Sequence, residues 1–256
     1  MKIPKLPSAI VLVHGLFGYD HLRIGPWTLL SYFTGIAEAF QAAGNRVLVP
    51  RLSPTKGIAF RAEQLKAFLD REAPGETVHI IAHSMGGLDA RYLISRLGMG
   101  GRVLSLTTLG TPHRGTPFAD WGIRCVEPLV APIFDLVGLS RQAFHDLTTA
   151  SCRAFNEQVA DVPGVRYFSV AGQFTPDWLT PEWQLSHSIV AQTEGANDGL
   201  VSVMSARYGE DCQVWEGDHA SLVNRTLPMA IARGRWPDRL GQYVALLARL
   251  ADAGFA

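Results

Sequence analysis

Ser84 stands between an apolar run and a helical pattern, in Val78-His79-Ile80-Ile81-Ala82-His83-Ser84-Met85-Gly86-Gly87-Leu88. That pattern describes a buried strand, a sharp turn and a helix, with the serine at the apex. Such a turn forces the serine into a strained backbone conformation, so Ala82 and Gly86 must be small. It holds the hydroxyl at a helix N-terminus, with the Met85 N–H free to stabilise an oxyanion. The chemistry implied is nucleophilic attack by Ser84. An ordinary helix-capping serine would look similar in isolation, so the partners decide.

A serine nucleophile needs a base, and the base needs an orienting acid. Around an elbow of this kind the chain order is serine, acid, histidine. Of eight histidines, His83 is inside the elbow, His79 within a strand, and His14 precedes the serine. His113 lies in a separate tight loop, where it buttresses the site rather than acting as the base. His219, in Glu216-Gly217-Asp218-His219-Ala220-Ser221, follows the last strand signal on a loop that can present an imidazole. For the acid, Asp198 in Gly195-Ala196-Asn197-Asp198-Gly199 is preferred, with Glu194, Asp177 and Asp218 as alternatives. Asp218 is disfavoured because a carboxylate next to His219 reaches its ring poorly. A second oxyanion donor is expected in His14-Gly15-Leu16-Phe17-Gly18, where glycines admit a substrate carbonyl and Leu16 supplies the N–H. The His14 side chain is expected to shape this loop by hydrogen bonding.

The elements that must position these groups alternate. Strand signals fall at residues 10–13, 46–50, 78–82, 103–109, 165–170 and 213–215, and helical periodicity at 27–43, 59–71, from Ser84 to about Leu97, and 242–250. In the helix at 59–71, Phe60, Leu65, Phe68 and Leu69 are expected on the buried side. Alternation of this kind specifies an α/β fold with a parallel sheet covered on both faces. Ligands then bind beyond the carboxyl ends of the strands.

About fifty residues separate the strands ending at Leu109 and starting at Val165, far more than an ordinary connection. Cys125, Leu129, Ile133 and Val137, with Val126, Val130, Phe134 and Leu136, form an apolar stripe there at helical spacing. The expectation is one domain over 1–256, with a cap or lid insertion over approximately 117–161. Phe17, Ile133, Phe134 and Val137 would then contact an acyl chain. A core helix with no role in binding is the competing reading.

The 256 residues are 47% hydrophobic and 18% charged, with zero formal net charge, enough to bury one core and nothing to favour nucleic acid. No apolar stretch reaches the ~20 residues a membrane span needs. Met1 to Ser8 leave no room for a signal peptide before the first strand, so a cytoplasmic location is expected. Cys125, Cys152 and Cys212 show no metal-ligand spacing.

Taken together, Val11-Leu12-Val13-His14-Gly15-Leu16, His83-Ser84-Met85-Gly86-Gly87-Leu88 with Arg91-Tyr92, Leu109-Gly110-Thr111-Pro112-His113-Arg114-Gly115, Asn197-Asp198-Gly199-Leu200-Val201 and His219 before Asn224 resemble the bacterial triacylglycerol lipases, the Gram-negative group with calcium. The resemblance implies an α/β-hydrolase fold with a helical lid. It implies a triad of Ser84, Asp198 and His219, and an oxyanion hole from Leu16 and Met85. Three positions depart from the group. Ala82 replaces the usual glycine, and Met204 stands where secreted members carry a disulfide cysteine. Ser221 and Arg225 replace the calcium-ligand positions, so no metal or other cofactor is expected. In place of the ion, a salt bridge from Arg225 to an acid such as Asp177 would hold the histidine loop. The expected activity is hydrolysis of carboxylic esters with medium or long acyl chains, with transient contact at a lipid interface. Acyl transfer or polyester cleavage by the same triad, and a non-catalytic binding module, are the alternatives.

Overall fold

The computed structural model describes residues 2–17, 21–24, 27–136, 140–178, 180–225 and 237–255. Its centre is a six-stranded sheet of β1 (Ala9–Val13), β4 (Val47–Leu48), β5 (Val78–His83), β6 (Val103–Leu109), β7 (Arg166–Gln173) and β8 (Cys212–Glu216). The strand order is β4-β1-β5-β6-β7-β8, and every pairing is parallel. Strand side chains alternate between faces, and both faces here are apolar. Ile10 and Leu12 pack with Phe33, Phe40, Ile81 and Tyr243. Val11 and Val13 pack on the other side with Leu65, Leu69, Ile80 and Leu93. This is why β1 reads as an unbroken hydrophobic run rather than an alternating one.

Helices α1 (Ile36–Ala42), α2 (Ile58–Glu72), α3 (Met85–Arg96) and the C-terminal helix Leu240–Leu250 flank the sheet. Residues 27–43 are not one helix. Trp27–Ser31 is a strand, β3, paired antiparallel with β2 (His21–Ile24), and helix begins only at Ile36. Phe33, Ile36, Ala37 and Phe40 keep the buried spacing expected of them. The earlier part of the periodic pattern lost to cross-strand backbone pairing, a non-local effect that helical spacing cannot register.

Between β6 and β7 the described residues form four helices, α4 (Pro117–Cys125), α5 (Glu127–Leu136), α6 (Gln142–Asp146) and α7 (Thr149–Gln158). The expected apolar stripe is split across α4 and α5. Pro128 offers no backbone N–H and restricts Glu127, so the helix restarts there. Among the described residues no helix is long and apolar enough to cross a membrane.

Candidate active site

β5 ends at His83, and the chain turns at Ser84 with φ 55° and ψ −132° before α3 begins at Met85. A non-glycine residue in this region carries roughly 1–3 kcal/mol of strain, and its surroundings hold it there. Ser84 N–H donates to the Leu109 carbonyl at 2.9 Å, and the Thr111 hydroxyl donates to the Ser84 carbonyl at 2.8 Å. Small neighbours are required. A Cβ on Gly15 would meet Ser84 Cβ at 2.6 Å, and one on Gly86 would meet the His14 carbonyl at 2.7 Å. Thus the loop after β1 packs directly against the serine.

That loop is oriented by His14. Its Nε2 accepts the Leu52 N–H at 3.0 Å, so in the neutral ring Nδ1 carries the hydrogen and donates to the Gly15 carbonyl at 2.9 Å. In a trans peptide the N–H points opposite the carbonyl, so the Leu16 N–H faces away from the His14 ring. The His14 carbonyl accepts from Arg61 Nη2 at 2.8 Å, and Arg61 Nε donates to Asp89 at 2.8 Å. Both members of this ion pair are fully buried. Burial pushes the Asp89 carboxyl up to about 7, against the opposing pull of Arg61.

Arg61 was not legible as a site residue. On α2 it takes the buried place expected of Phe60, which is 46% exposed instead, and Phe68 is only partly buried. Arginine is rarely buried unless paired, and the partner Asp89 lies on α3, where no local pattern announces it.

His219 follows β8. Its Nδ1 lies 2.7 Å from Asp198 Oδ2, and its own N–H donates to the Asp198 carbonyl at 2.8 Å. Asp198 is fully buried, and its Oδ1 accepts the N–H groups of Leu200 and Val201 at 3.0 and 2.8 Å. A Cβ on Gly110 would come 2.9 Å from Asp198 Oδ2 and 3.1 Å from His219 Nδ1, so a glycine is needed behind the pair. The other acids are engaged elsewhere. Glu194 accepts the Ser202 hydroxyl at 2.5 Å, Asp218 accepts the Ser221 N–H at 2.9 Å, and Asp177 accepts the Thr180 hydroxyl at 3.2 Å. His113 is buried away from this group, 3.0 Å from the Thr108 hydroxyl and stacked on Tyr208. Burial and then Arg91 hold it well below the ordinary imidazole pKa.

Ser84 and His219 open onto one apolar cavity of about 460 Å³, also lined by Leu16, Phe17, Phe134 and Phe144. Phe144 sits between Phe17 and Phe134, with ring centroids at 5.6 and 6.0 Å. From α4 and α5, Val126, Val130 and Phe134 face the cavity, whereas Leu129 is 77% exposed and Cys125 also faces solvent. The expected stripe is therefore narrower than its spacing implied. Val137 and the side chain of Ile133 lie outside the described residues. At the cavity wall Glu127 accepts from Arg141 at 2.8 Å and pairs with His145 at 2.9 Å. Arg225, expected at a vestigial cation site, lies over the Tyr32 ring at 5.1 Å.

A model of the Alpha/beta hydrolase family matches residues 10–254. Triacylglycerol lipase 2 of Saccharomyces cerevisiae is 33% identical over 276 residues, covering 87% of this chain and 81% of the yeast protein. A triacylglycerol lipase of Pseudomonas fragi is 28% identical over 292 residues, covering 96% of each chain. Among solved structures, the mature form of the Bacillus licheniformis lipase BlEst2 aligns with a TM-score of 0.69 at 25% identity, covering 88% of this chain and 91% of that one. With an all-parallel sheet, a strained serine between β5 and α3, and these matches along nearly its whole length, the chain belongs to the alpha/beta hydrolase family, in its group of lipases and esterases.

Proposed function

We propose that this carboxylic ester hydrolase works through a triad of Ser84, His219 and Asp198 and takes medium or long acyl chains. His219 removes the Ser84 proton as the hydroxyl oxygen attacks the ester carbonyl. The tetrahedral oxyanion is held by the Leu16 and Met85 N–H groups. His219 then protonates the departing alcohol, leaving an acyl-enzyme, and activates a water that releases the acid. Asp198 keeps the His219 ring in one tautomer and stabilises the imidazolium.

The observation that carries this reading is the cavity, which joins the strained serine and the histidine to an apolar wall of cap residues. Each methylene buried there contributes about 0.8 kcal/mol, so the wall favours longer chains. A triacylglycerol or another neutral ester fits such a wall, and the relatives named as triacylglycerol lipases support that class. The mechanism calls for no cofactor, and EDTA is expected to leave the rate unchanged. The same acyl-enzyme would serve acyl transfer or polyester cleavage, which product analysis with competing alcohols separates from hydrolysis.

The test is covalent labelling by a fluorophosphonate, with initial rates on p-nitrophenyl esters from acetate to palmitate. Ser84→Ala is expected to abolish labelling and to lower turnover by about 10⁴-fold or more without unfolding the chain. Retained hydrolysis in the purified variant would overturn the nucleophile assignment. A flat chain-length profile would overturn the acyl-chain preference.

A further inference from the structure

Tyr32 follows β3 and lines the same cavity as Ser84 and His219. Its hydroxyl accepts the Gly15 N–H at 3.1 Å and lies 2.8 Å from Nδ1 of His83. The other ring nitrogen of His83, Nε2, lies 3.0 Å from the His219 carbonyl. A carbonyl can only accept, so Nε2 carries the hydrogen. Burial first, and then the neighbouring His219, hold His83 well below the ordinary imidazole pKa. The ring is therefore neutral, and Nδ1 accepts the Tyr32 O–H.

With both ends assigned, every hydrogen in the chain has one direction. Gly15 N–H donates to the Tyr32 oxygen, Tyr32 O–H to His83 Nδ1, and His83 Nε2–H to the His219 carbonyl. Four segments are joined this way: the loop after β1, Tyr32 after β3, the last residue of β5, and the loop after β8. The His83 and His219 rings stand 4.5 Å apart. A neutral His83 brings no repelling charge to the imidazolium that forms on His219 during turnover.

We infer that Tyr32 and His83 are positioning residues, which hold the oxyanion loop and the histidine loop in register across the nucleophile. The inference rests on the roles of Ser84 and His219 proposed above. Neither residue takes a proton from substrate. They act through the placement of Leu16 and His219, and small displacements of reacting groups cost large factors in rate.

Steady-state kinetics, melting curves and ¹⁵N spectra of the histidine rings test this. Tyr32→Phe removes one oxygen and is expected to lower kcat by about 10- to 100-fold, with KM for a short ester within about twofold. His83→Leu should do the same, while His83→Gln, whose amide can still donate to the His219 carbonyl, recovers most of the loss. Because both positions interrupt one chain, the double variant Tyr32→Phe/His83→Leu should lose no more than the worse single. In the native chain the His83 ring should show a single neutral tautomer protonated at Nε2, and Tyr32→Phe should abolish that uniformity.

Tyr32→Phe and His83→Leu with near-native kcat, alongside an inactive Ser84→Ala, would overturn the inference and leave the triad standing. Losses that multiply in the double variant would also overturn it. An active Ser84→Ala would remove the triad and this inference together. Should His83→Leu fold poorly, Tyr32→Phe and the ring spectra still decide.

Discussion

Two carboxylates near the histidine loop differ in what they touch. Asp198 is fully buried and gives one oxygen to His219 Nδ1, while Glu194 is occupied by the Ser202 hydroxyl. Asp198→Asn is therefore expected to lower kcat by on the order of 10³–10⁴-fold, less than Ser84→Ala, since the acid orients the ring but transfers no proton. Glu194→Gln should stay within a few-fold of native, because an amide oxygen can still accept from Ser202. A dead Glu194→Gln beside an active Asp198→Asn, measured on a soluble ester, would reverse the assignment. Chain order and turn context pointed to Ser84, Asp198 and His219 in the residues alone. Tyr32 and Arg61 could not be found that way. Their importance lies in partners 51 and 28 residues distant along the chain, and pattern within a window carries no such information.

At the level of elements, α5 presents a row, not a broad face. Val130 and Phe134, in line with Val126 at the junction of α4 and α5, recur every fourth residue and line the cavity, while Leu129 points to solvent. Val130→Ala with Phe134→Ala is expected to lower turnover of palmitate esters more than of acetate esters, by about tenfold for each 1.4 kcal/mol of lost contact. Leu129→Ala should leave the ratio of palmitate to acetate rates unchanged. An equal fall for all chain lengths in the double variant would make α5 a packing helix only. The sheet strands were legible because their apolar runs are short, dense and buried on both faces. The β2–β3 hairpin was not, although Gly25-Pro26 is a turn dipeptide. Apolar residues at helical spacing also occur where a strand leads into a helix, and only the pairing partner separates the two.

For the whole molecule, three buried histidines set the response to acid. Burial lowers His79 to about 4 and holds His83 and His113 well below their ordinary value. In the unfolded chain each takes a proton near pH 6.5, whereas the folded chain stays neutral there. Their stabilisation is thus fully present above about pH 6.5 and is lost as pH falls below it. Asp89 works the other way. Its folded value of about 7 lies above the unfolded one, so acid favours the folded state through this group between about pH 7 and 4. Asp218, also raised by burial, works in the same direction as Asp89, and three histidines against two carboxyls still leave stability falling as pH drops below about 6.5. Melting curves between about pH 7 and 5 should show Tm falling steadily. A Tm that stays flat over that range would mean that the folded chain accepts these protons.

The β6–β7 ladder runs from Ser105↔Arg166 to Leu109↔Val170 without any residue of the four helices between them. The sheet would close in the same register with a different segment in that place. The insert is nonetheless tied to the scaffold beneath it, with Asp146 accepting the Ile58 N–H and Asn156 accepting from Arg91. Ala143, Leu147 and Cys152 pack on Ile58, Met85 and Leu88, so any replacement must keep that underside. Under the acyl-chain role proposed above, substrate range can drift by remodelling of this one segment while Ser84, His219 and Asp198 stay under separate selection. For an engineer, the same separation marks residues 117–158 as the stretch to graft from a relative when a new acyl preference is wanted on an unchanged catalytic frame.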